Sequence, residues 1–263
     1  MKFMVFTHDT QQNIELKNDI ESKFIANGFF VDEDNPDFVF TVGGDGTVLQ
    51  AIHHFIATRK LSTIKFVGLH TGHLGYYTDW LPSEVDEMVS YFTTQEIKTN
   101  NYPLLEANIT TTNQKKSSFY ALNEFTILNA RRTQHLDVKI NDLFFESFRG
   151  TGICVSSPTG STAYSKALGG AVIYPSLPVY QMTEIASINN NSYRTLGSPL
   201  IIPQDQLLIL DSENWEGTTL TQDHLDLKIA DISGIKITLS DRCVQFAQRK
   251  EGLFWNRVKH HFL

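Results

Sequence analysis

Directly after the apolar run Asp37–Val42 the chain reads Gly43-Gly44-Asp45-Gly46-Thr47. Three glycines around one acid let the main chain turn sharply and approach a ligand closely. At the end of a parallel strand, Asp45 stands where ligands of open α/β sheets bind. The plainer alternative is a tight turn in which Asp45 or Thr47 caps the next helix, and the strand before and helix after favour the ligand reading. A second segment, Ser156-Ser157-Pro158-Thr159-Gly160-Ser161-Thr162-Ala163-Tyr164, packs five Ser or Thr residues around Pro and Gly. Opening a helix, it offers hydroxyls and free N–H groups to a phosphate or ribose. A plain cap explains one or two hydroxyls, not this density. No G-x-S-x-G elbow is present, and no His or Asp is placed by sequence to activate a serine, so a serine hydrolase is not supported. Asn123-Glu124 sits inside the apolar run Tyr120–Leu128. A buried polar pair needs partners, which a ligand can supply; an exposed pair at a strand end is the open alternative. His53-His54 and His70-Thr71-Gly72-His73 lack a carboxylate or Cys pair at ligand spacing, so they read as solvated or capping histidines. Asp223-His224, between strand-like runs, is ambiguous.

The elements that must position these residues alternate at first between strand and helix. Residues 2–6 have strand length and character; residues 10–27 place Ile14, Ile20, Phe24 and Ile25 near helical spacing, with Gly28 set to end the helix. Residues 37–42 are a buried strand, 48–57 helical, 64–69 a third strand, and Pro82 and Glu84 open a helix to about Phe92. Strand–turn–helix–strand predicts a parallel sheet. After Asn100 short β-branched or alternating runs follow at 105–111, 119–128, 136–140, 152–156, 207–210 and 235–239. They are separated by Asn, Asp, Gly and Ser clusters, which predicts an antiparallel β-rich domain. A helical stretch falls at about 161–168, a linker near 94–103, and a terminal helix at 253–262 with Phe254, Val258 and Phe262 on one face. The expected domains are 1–99 (α/β) and 100–250 (β-rich), with a helix over 251–263 that can pack back on the first.

With 263 residues the chain has ample length for a buried core, and 41% hydrophobic against 19% charged residues is an ordinary globular composition. Twenty-two Lys and Arg against 29 Asp and Glu leave a net charge of −7. That diffuse acidity argues against nucleic acid or an anionic membrane as main partner, because phosphate backbones are held by clustered cations. A phosphorylated ligand must then be held locally, by backbone N–H groups, a few cations or a metal. Two cysteines form no disulfide framework. The opening MKFMVFTHDTQQ turns polar after six residues, and no apolar run reaches 18. The expectation is a soluble, cytoplasmic protein.

Taken together and in this order, GGDGT at 43–47, NE at 123–124 and SSPTGSTAY at 156–164 resemble the NAD kinase family. The resemblance extends over HTGHLGYYTDW (70–80) and ASINNNSYRTLGSPL (186–200), and in those segments the chain looks like the enzymes of low-GC Gram-positive bacteria. GGDGT alone is also similar to diacylglycerol and sphingosine kinases and 6-phosphofructokinases; the hydroxyl-rich loop separates NAD kinases from them. The resemblance implies transfer of the γ-phosphoryl of ATP, or of polyphosphate, to the adenosine ribose 2′-hydroxyl of NAD, giving NADP, with Mg²⁺ or another divalent ion. It implies a Rossmann-like α/β domain bearing the GGDGT loop, a C-terminal β-sandwich-like domain, and an active site in the crevice between them. It also implies a homodimer or homotetramer in which a neighbouring subunit adds NAD contacts.

By the same resemblance Asp45 is the general base and Gly46 its neighbour in the NAD loop. Asn123 and Glu124 hold the ribose and adenine side. Thr162, Ala163 and Tyr164 line the dinucleotide pocket, with Thr159 standing where many relatives have serine. Ala186, Asn190 and Tyr193 face NAD, and Arg149 and His224 lie near it. Two positions depart from the family pattern. Thr151, between Gly150 and Gly152, replaces an acid that contacts the exocyclic amine or amide of NAD, and Ala167 replaces a serine. Neither touches Asp45, so altered NAD affinity rather than lost activity is expected. The rival readings are a lipid or sugar kinase sharing GGDGT, and a non-catalytic dinucleotide sensor. The metal's ligands are not readable from spacing.

Overall fold

Phe3 and Val5 alternate along the first strand and both are buried, the period-2 pattern of a strand packed on one side. The computed structural model describes residues 1–8, 10–58, 61–72, 74–249 and 253–263. They divide into two compact units, Met1–Tyr102 with Cys243–Leu263, and Pro103–Arg242. Along the chain the first elements are β1 (Lys2–Thr7), α1 (Gln11–Ala26), β2 (Phe30–Val31), β3 (Phe38–Val42), α2 (Asp45–Thr58), β4 (Lys65–Leu69) and α3 (Val85–Thr94). The strands β5 (Thr99–Thr111), β6 (Lys116–Ala121), β7 (Glu124–Leu128), β8 (Gln134–Ile140), β9 (Leu143–Gly150) and β10 (Gly152–Ser156) follow. Then come α4 (Tyr164–Ala167), β11 (Val179–Ile185), β12 (Leu200–Pro203), β13 (Leu208–Asp211), β14 (Thr219–Gln222), β15 (Leu225–Leu227), β16 (Ile232–Ala247) and α5 (Leu253–Phe262).

In the first unit β1, β3, β4 and residues 245–246 of β16 run parallel, with β2 beside β1. Every residue of β3 is buried, as expected of a parallel strand covered on both faces. On one side Ile20 and Phe24 of α1, one turn apart, and Val85, Met88, Val89 and Phe92 of α3 pack with Phe3, Phe38 and Phe40. The Phe24 and Phe40 rings lie 4.6 Å apart and Phe40 and Phe92 5.1 Å; such pairs add about 0.5–1.5 kcal/mol each beyond their buried area. On the other side Phe55 of α2 meets Phe66 of β4 at 6.1 Å. The core thus fixes β3 and β4, and with them the loops leaving their carboxyl ends.

The second unit is antiparallel. One sheet orders its strands β12-β11-β10-β7-β14-β15, and β13 pairs with β8 and with residues 235–237 of β16 while β8 pairs with β9. Phe125, Ile127, Ile153, Val155, Tyr180 and Met182 of the first set share one core with Leu136, Val138, Leu208, Leu210 and Ile237 of the second.

The α/β and β-rich characters thus match the sequence reading, while details differ. The run 119–128 is two strands, β6 and β7, parted at Leu122-Asn123. The helical stretch at 161–168 is a 3₁₀ turn, Thr159–Thr162, followed by the single turn α4. Residues 99–103 of the expected linker belong to β5, and α2 starts at Asp45 rather than Val48. Of the terminal helix, residues 251 and 252 lie outside the described residues; on α5, Phe254 and Val258 are half-buried and Phe262 is exposed. No described helix is long and apolar enough to cross a membrane.

Candidate active site

The first unit presents one carboxylate, held by main chain. Asp45 opens α2 at the carboxyl end of β3, yet its side chain does not cap that helix. Its Oδ2 accepts the Tyr76 N–H at 2.7 Å and its Oδ1 the Tyr77 N–H at 2.9 Å. Each oxygen keeps a free lone pair, because an ionised carboxylate can accept about four hydrogen bonds. The donors sit in the loop that leaves β4 and returns at Trp80, whose carbonyl accepts the His70 N–H at 2.9 Å. Gly75, whose N–H donates to Thr78 Oγ1 at 3.1 Å, must stay bare: a Cβ there would lie 2.1 Å from Asp45 Oδ1. Gly44 and Gly46 are exposed, and a Cβ on either would meet nothing within 4 Å. Packing does not demand those two glycines, which fits a backbone kept bare for a ligand. His73 lies outside the described residues; His70 is buried and its Nδ1 stands 3.1 Å from Gly72 O.

The second unit presents Asn123-Glu124 in a turn clamped by an anion. Asp223, with φ +49°, accepts N–H bonds from Leu122 at 2.9 Å, Asn123 at 2.7 Å and Glu124 at 3.1 Å. Three successive amides drawn to one carboxylate explain why the run breaks into two strands here. Asn123 and Glu124 are both buried. Burial first, and the neighbouring Asp223 charge second, push the Glu124 carboxyl up to about 8, against the opposing N–H bond from Tyr164. Glu124 Oε2 is buried with no hydrogen-bond partner among the described residues, a group that a ligand would satisfy.

The hydroxyls of the Ser/Thr-rich loop bond to main-chain groups. Ser157 Oγ and Thr159 Oγ1 both donate to Leu122 O, the latter at 3.0 Å. Ser161 Oγ donates to Pro158 O at 2.6 Å and accepts the Ile173 N–H at 2.9 Å. Thr162 Oγ1 donates to Thr159 O at 3.1 Å. Ser157 and Thr159 thus fasten the loop to the Asn123 turn, while Ser161 and Thr162 bond to main chain of residues 158, 159 and 173, and neither the 3₁₀ turn nor α4 has a side-chain cap. Gly160 shows how close the two segments lie: a Cβ there would stand 2.0 Å from Asn123 O. Thr162 and Ala163 remain half-buried, and Tyr164, Ala167 and His224 are exposed.

The remaining predicted residues gather elsewhere in the same unit. Ser156 faces Glu124 across β10 and β7, while Gly152 faces Leu128. Thr151 therefore sits five residues of extended strand, about 16 Å, from the Glu124 end. Its N–H donates to Ile185 O and its carbonyl accepts from Asn129. At this end Arg149 stacks on Tyr193, guanidinium to ring 3.8 Å, and Ala186 adopts φ +47°. Asn190 Oδ1 accepts the Ser192 and Tyr193 N–H groups, both at 2.9 Å, and so shapes its own turn. Within the unit the structure brings Asn123, Glu124, Thr159, Thr162, Ala163 and Tyr164 together, and places Arg149, Thr151, Ala186, Asn190 and Tyr193 in a second group. Sequence reasoning missed Asp223 as the clamp and residues 75–77 as the seat of Asp45; Gly75, the second glycine in HTGHLGYYTDW, was the available signal. No group of three or more His, Cys, Asp or Glu among the described residues forms a cation cage.

A family model described as the ATP-NAD kinase N-terminal domain matches residues 5–97, and one described as the ATP-NAD kinase C-terminal domain matches 122–248. The chain is 42% identical over 264 residues to the NAD kinase of Latilactobacillus sakei subsp. sakei (strain 23K), covering all of this chain and 98% of that one. It is 40% identical over 264 residues to NAD kinase 1 of Bacillus cereus (strain ATCC 10987), covering all of this chain and 99% of the relative. Among solved structures, yeast NADH kinase complexed with NADH aligns with TM-score 0.82 at 17% identity, over 100% of this chain and 87% of that one. An NAD kinase from Archaeoglobus fulgidus in complex with ATP aligns with TM-score 0.76 at 21% identity, over 98% of each. The fold is thus that of kinases acting on nicotinamide dinucleotides. The chain belongs to the NAD kinase family.

Proposed function

We propose that this protein is an NAD kinase that transfers the γ-phosphoryl group of ATP to the adenosine ribose 2′-hydroxyl of NAD, giving NADP. The observation that carries the reading is the Asp45 carboxylate, held by two main-chain amides at the carboxyl end of β3 beside glycines that packing does not require. In this reading Asp45 orients the 2′-hydroxyl and takes its proton while the 2′-oxygen bonds to the γ-phosphorus and the bond from that phosphorus to the β,γ-bridging oxygen breaks. Because the transition state is loose, most of the acceleration comes from holding hydroxyl and phosphate in line. Asn123 and Glu124 bind the ribose and adenine side, the unpartnered Glu124 Oε2 being completed by substrate, and Thr162, Ala163 and Tyr164 line the dinucleotide. The described residues do not fit a protein-built cage for the divalent ion the family resemblance implies, and no step here is routed through it.

Thr151, about 16 Å along the strand from Glu124, and Arg149, Ala186, Asn190 and Tyr193 serve the NAD bound by a neighbouring subunit of a homo-oligomer. Polyphosphate is the alternative donor, and the cytoplasm the compartment. The test is NADP formation from NAD, ATP and Mg²⁺, coupled to an NADP-specific dehydrogenase, with polyphosphate in place of ATP as a second arm. Asp45→Asn is expected to keep NAD binding and lower kcat about 10²–10⁴-fold. Wild-type turnover in that variant removes Asp45 from the base role; NAD binding without any NADP supports a sensor instead.

A further inference from the structure

The loop that seats Asp45 is itself gripped by α5. Arg257 of α5 donates to Asp79 Oδ1 and to Thr78 O, immediately after the Tyr76 and Tyr77 amides that bind the carboxylate. Its side chain is only 12% exposed. Burial pushes the Arg257 guanidinium below its usual range, while the charge of Asp45 acts in the opposite sense, so the cation and the carboxylate feel each other. The same helix covers Tyr76: the Tyr76 and His261 rings stack at 4.9 Å and 24°, and Phe254 and Phe262 lie 6.5 and 6.3 Å away. Arg249 strengthens the grip, donating to Asp79 O at 2.9 Å and pairing with Glu84 at 2.7 Å. A buried guanidinium is costly unless paired, so Arg257 settles only where Asp79 and the Thr78 carbonyl receive it.

We propose that Arg257 is a positioning residue for Asp45, fixing the Thr78–Asp79 segment against α5 so that the Tyr76 and Tyr77 amides stay in register with the carboxylate. The proposal rests on Asp45 being the base. It gives the end of the chain a part in catalysis although Arg257 is assigned no contact with substrate. Displacing the amides by about 1 Å would carry Asp45 with them, and misplacement of that size can cost about 10²-fold in rate.

The experiment is steady-state NADP formation with NAD and ATP varied in turn, on wild type, Arg257→Gln, Arg257→Lys, Asp45→Asn and the double variant Arg257→Gln/Asp45→Asn, with thermal melting of each. Arg257→Gln is expected to lower kcat about 10- to 100-fold with KM for NAD within about threefold, and Arg257→Lys to recover part of the loss. Acting through Asp45, the Arg257→Gln loss should vanish in the Asp45→Asn background, whereas independent effects would multiply. An Arg257→Gln kcat within twofold of wild type, a multiplied loss in the double variant, or a raised KM for ATP at unchanged kcat would each overturn the proposal. Where Arg257→Gln is lost but Asp45→Asn retains full turnover, it is the base reading that fails; where Asp45→Asn is lost and Arg257→Gln is not, only the present one fails. If Arg257→Gln does not fold, Asp79→Asn, which breaks the same pair from the loop side, carries the same expectations.

Discussion

The seat of Asp45 can be tested by adding a single methyl group. In Gly75→Ala the new Cβ would start 2.1 Å from Asp45 Oδ1, 2.7 Å from its Cγ and 2.8 Å from Thr78 Oγ1. Ordinary contact begins near 3.4 Å, so the carboxylate or the 75–77 main chain must retreat by about 1 Å. Asp45 cannot swing away freely, because both its oxygens are engaged by Tyr76 and Tyr77 amides on the moving segment. A 1 Å error in the base's position costs about 10²-fold in kcat. Overpacking of this kind costs about 1–3 kcal/mol of stability, which for a chain of this size lowers Tm by roughly 2–10 °C. The coupled NADP assay at saturating substrates, with melting in parallel, reads both. A Gly75→Ala protein with kcat within threefold of wild type and unchanged Tm would refute the idea that residues 75–77 hold Asp45 rigidly.

Asp223→Asn should put an amide NH₂ against the Leu122 N–H or break the bonds to Asn123 and Glu124. The cost is about 1–3 kcal/mol, with a raised KM for NAD, and an unchanged KM would detach the clamp from binding. Glu124 gives a pH signature. Its folded value is raised to about 8 from 4.5, so across that interval the folded protein keeps a proton that the unfolded chain has lost. Stability must therefore decline as pH rises from 5 to 8, by a few kcal/mol at most. Glu124→Gln should flatten the Tm profile over that range, and an equal slope in both proteins would contradict the assignment. Thr151→Asp, restoring the acid of the family pattern, should tighten NAD binding in calorimetry; weaker or equal binding counts against that contact.

What the sequence made legible follows from where each signal resides. Buried helices and strands with uniform faces, such as β3 and α3, announce themselves because one period governs every residue. Strand β9 did not, because Leu143 and Phe144 are exposed while Glu146 is buried, the reverse of the pattern a strand is recognised by. Strand β11 hid behind Gln181 and Thr183, both buried and bonded across the sheet or to the α4 turn. For the site, Asp45, Asn123 and Glu124 were visible through motif and resemblance. Their holders were not: the donors to Asp45 are backbone amides, which carry no residue identity, and Asp223 acts across 100 residues of sequence. The hydroxyl loop was legible as a dense polar segment, but where its hydroxyls point is decided by main-chain oxygens of Leu122, Pro158 and Thr159, atoms every residue type possesses.

The order in which the chain is made gives the Arg257 and Asp223 contacts a further meaning. A ribosome delivers residue 45 long before residue 257, and Asp79 meets its guanidinium partner 178 positions later. The Asn123 turn likewise waits 100 residues for its anion. A chain made only as far as β4 carries the GGDGT loop but neither the Arg257 guanidinium that binds Asp79 nor the β16 residues that pair with β4. On the Arg257 proposal, the segment that seats Asp45 gains this contact only once α5 has been made.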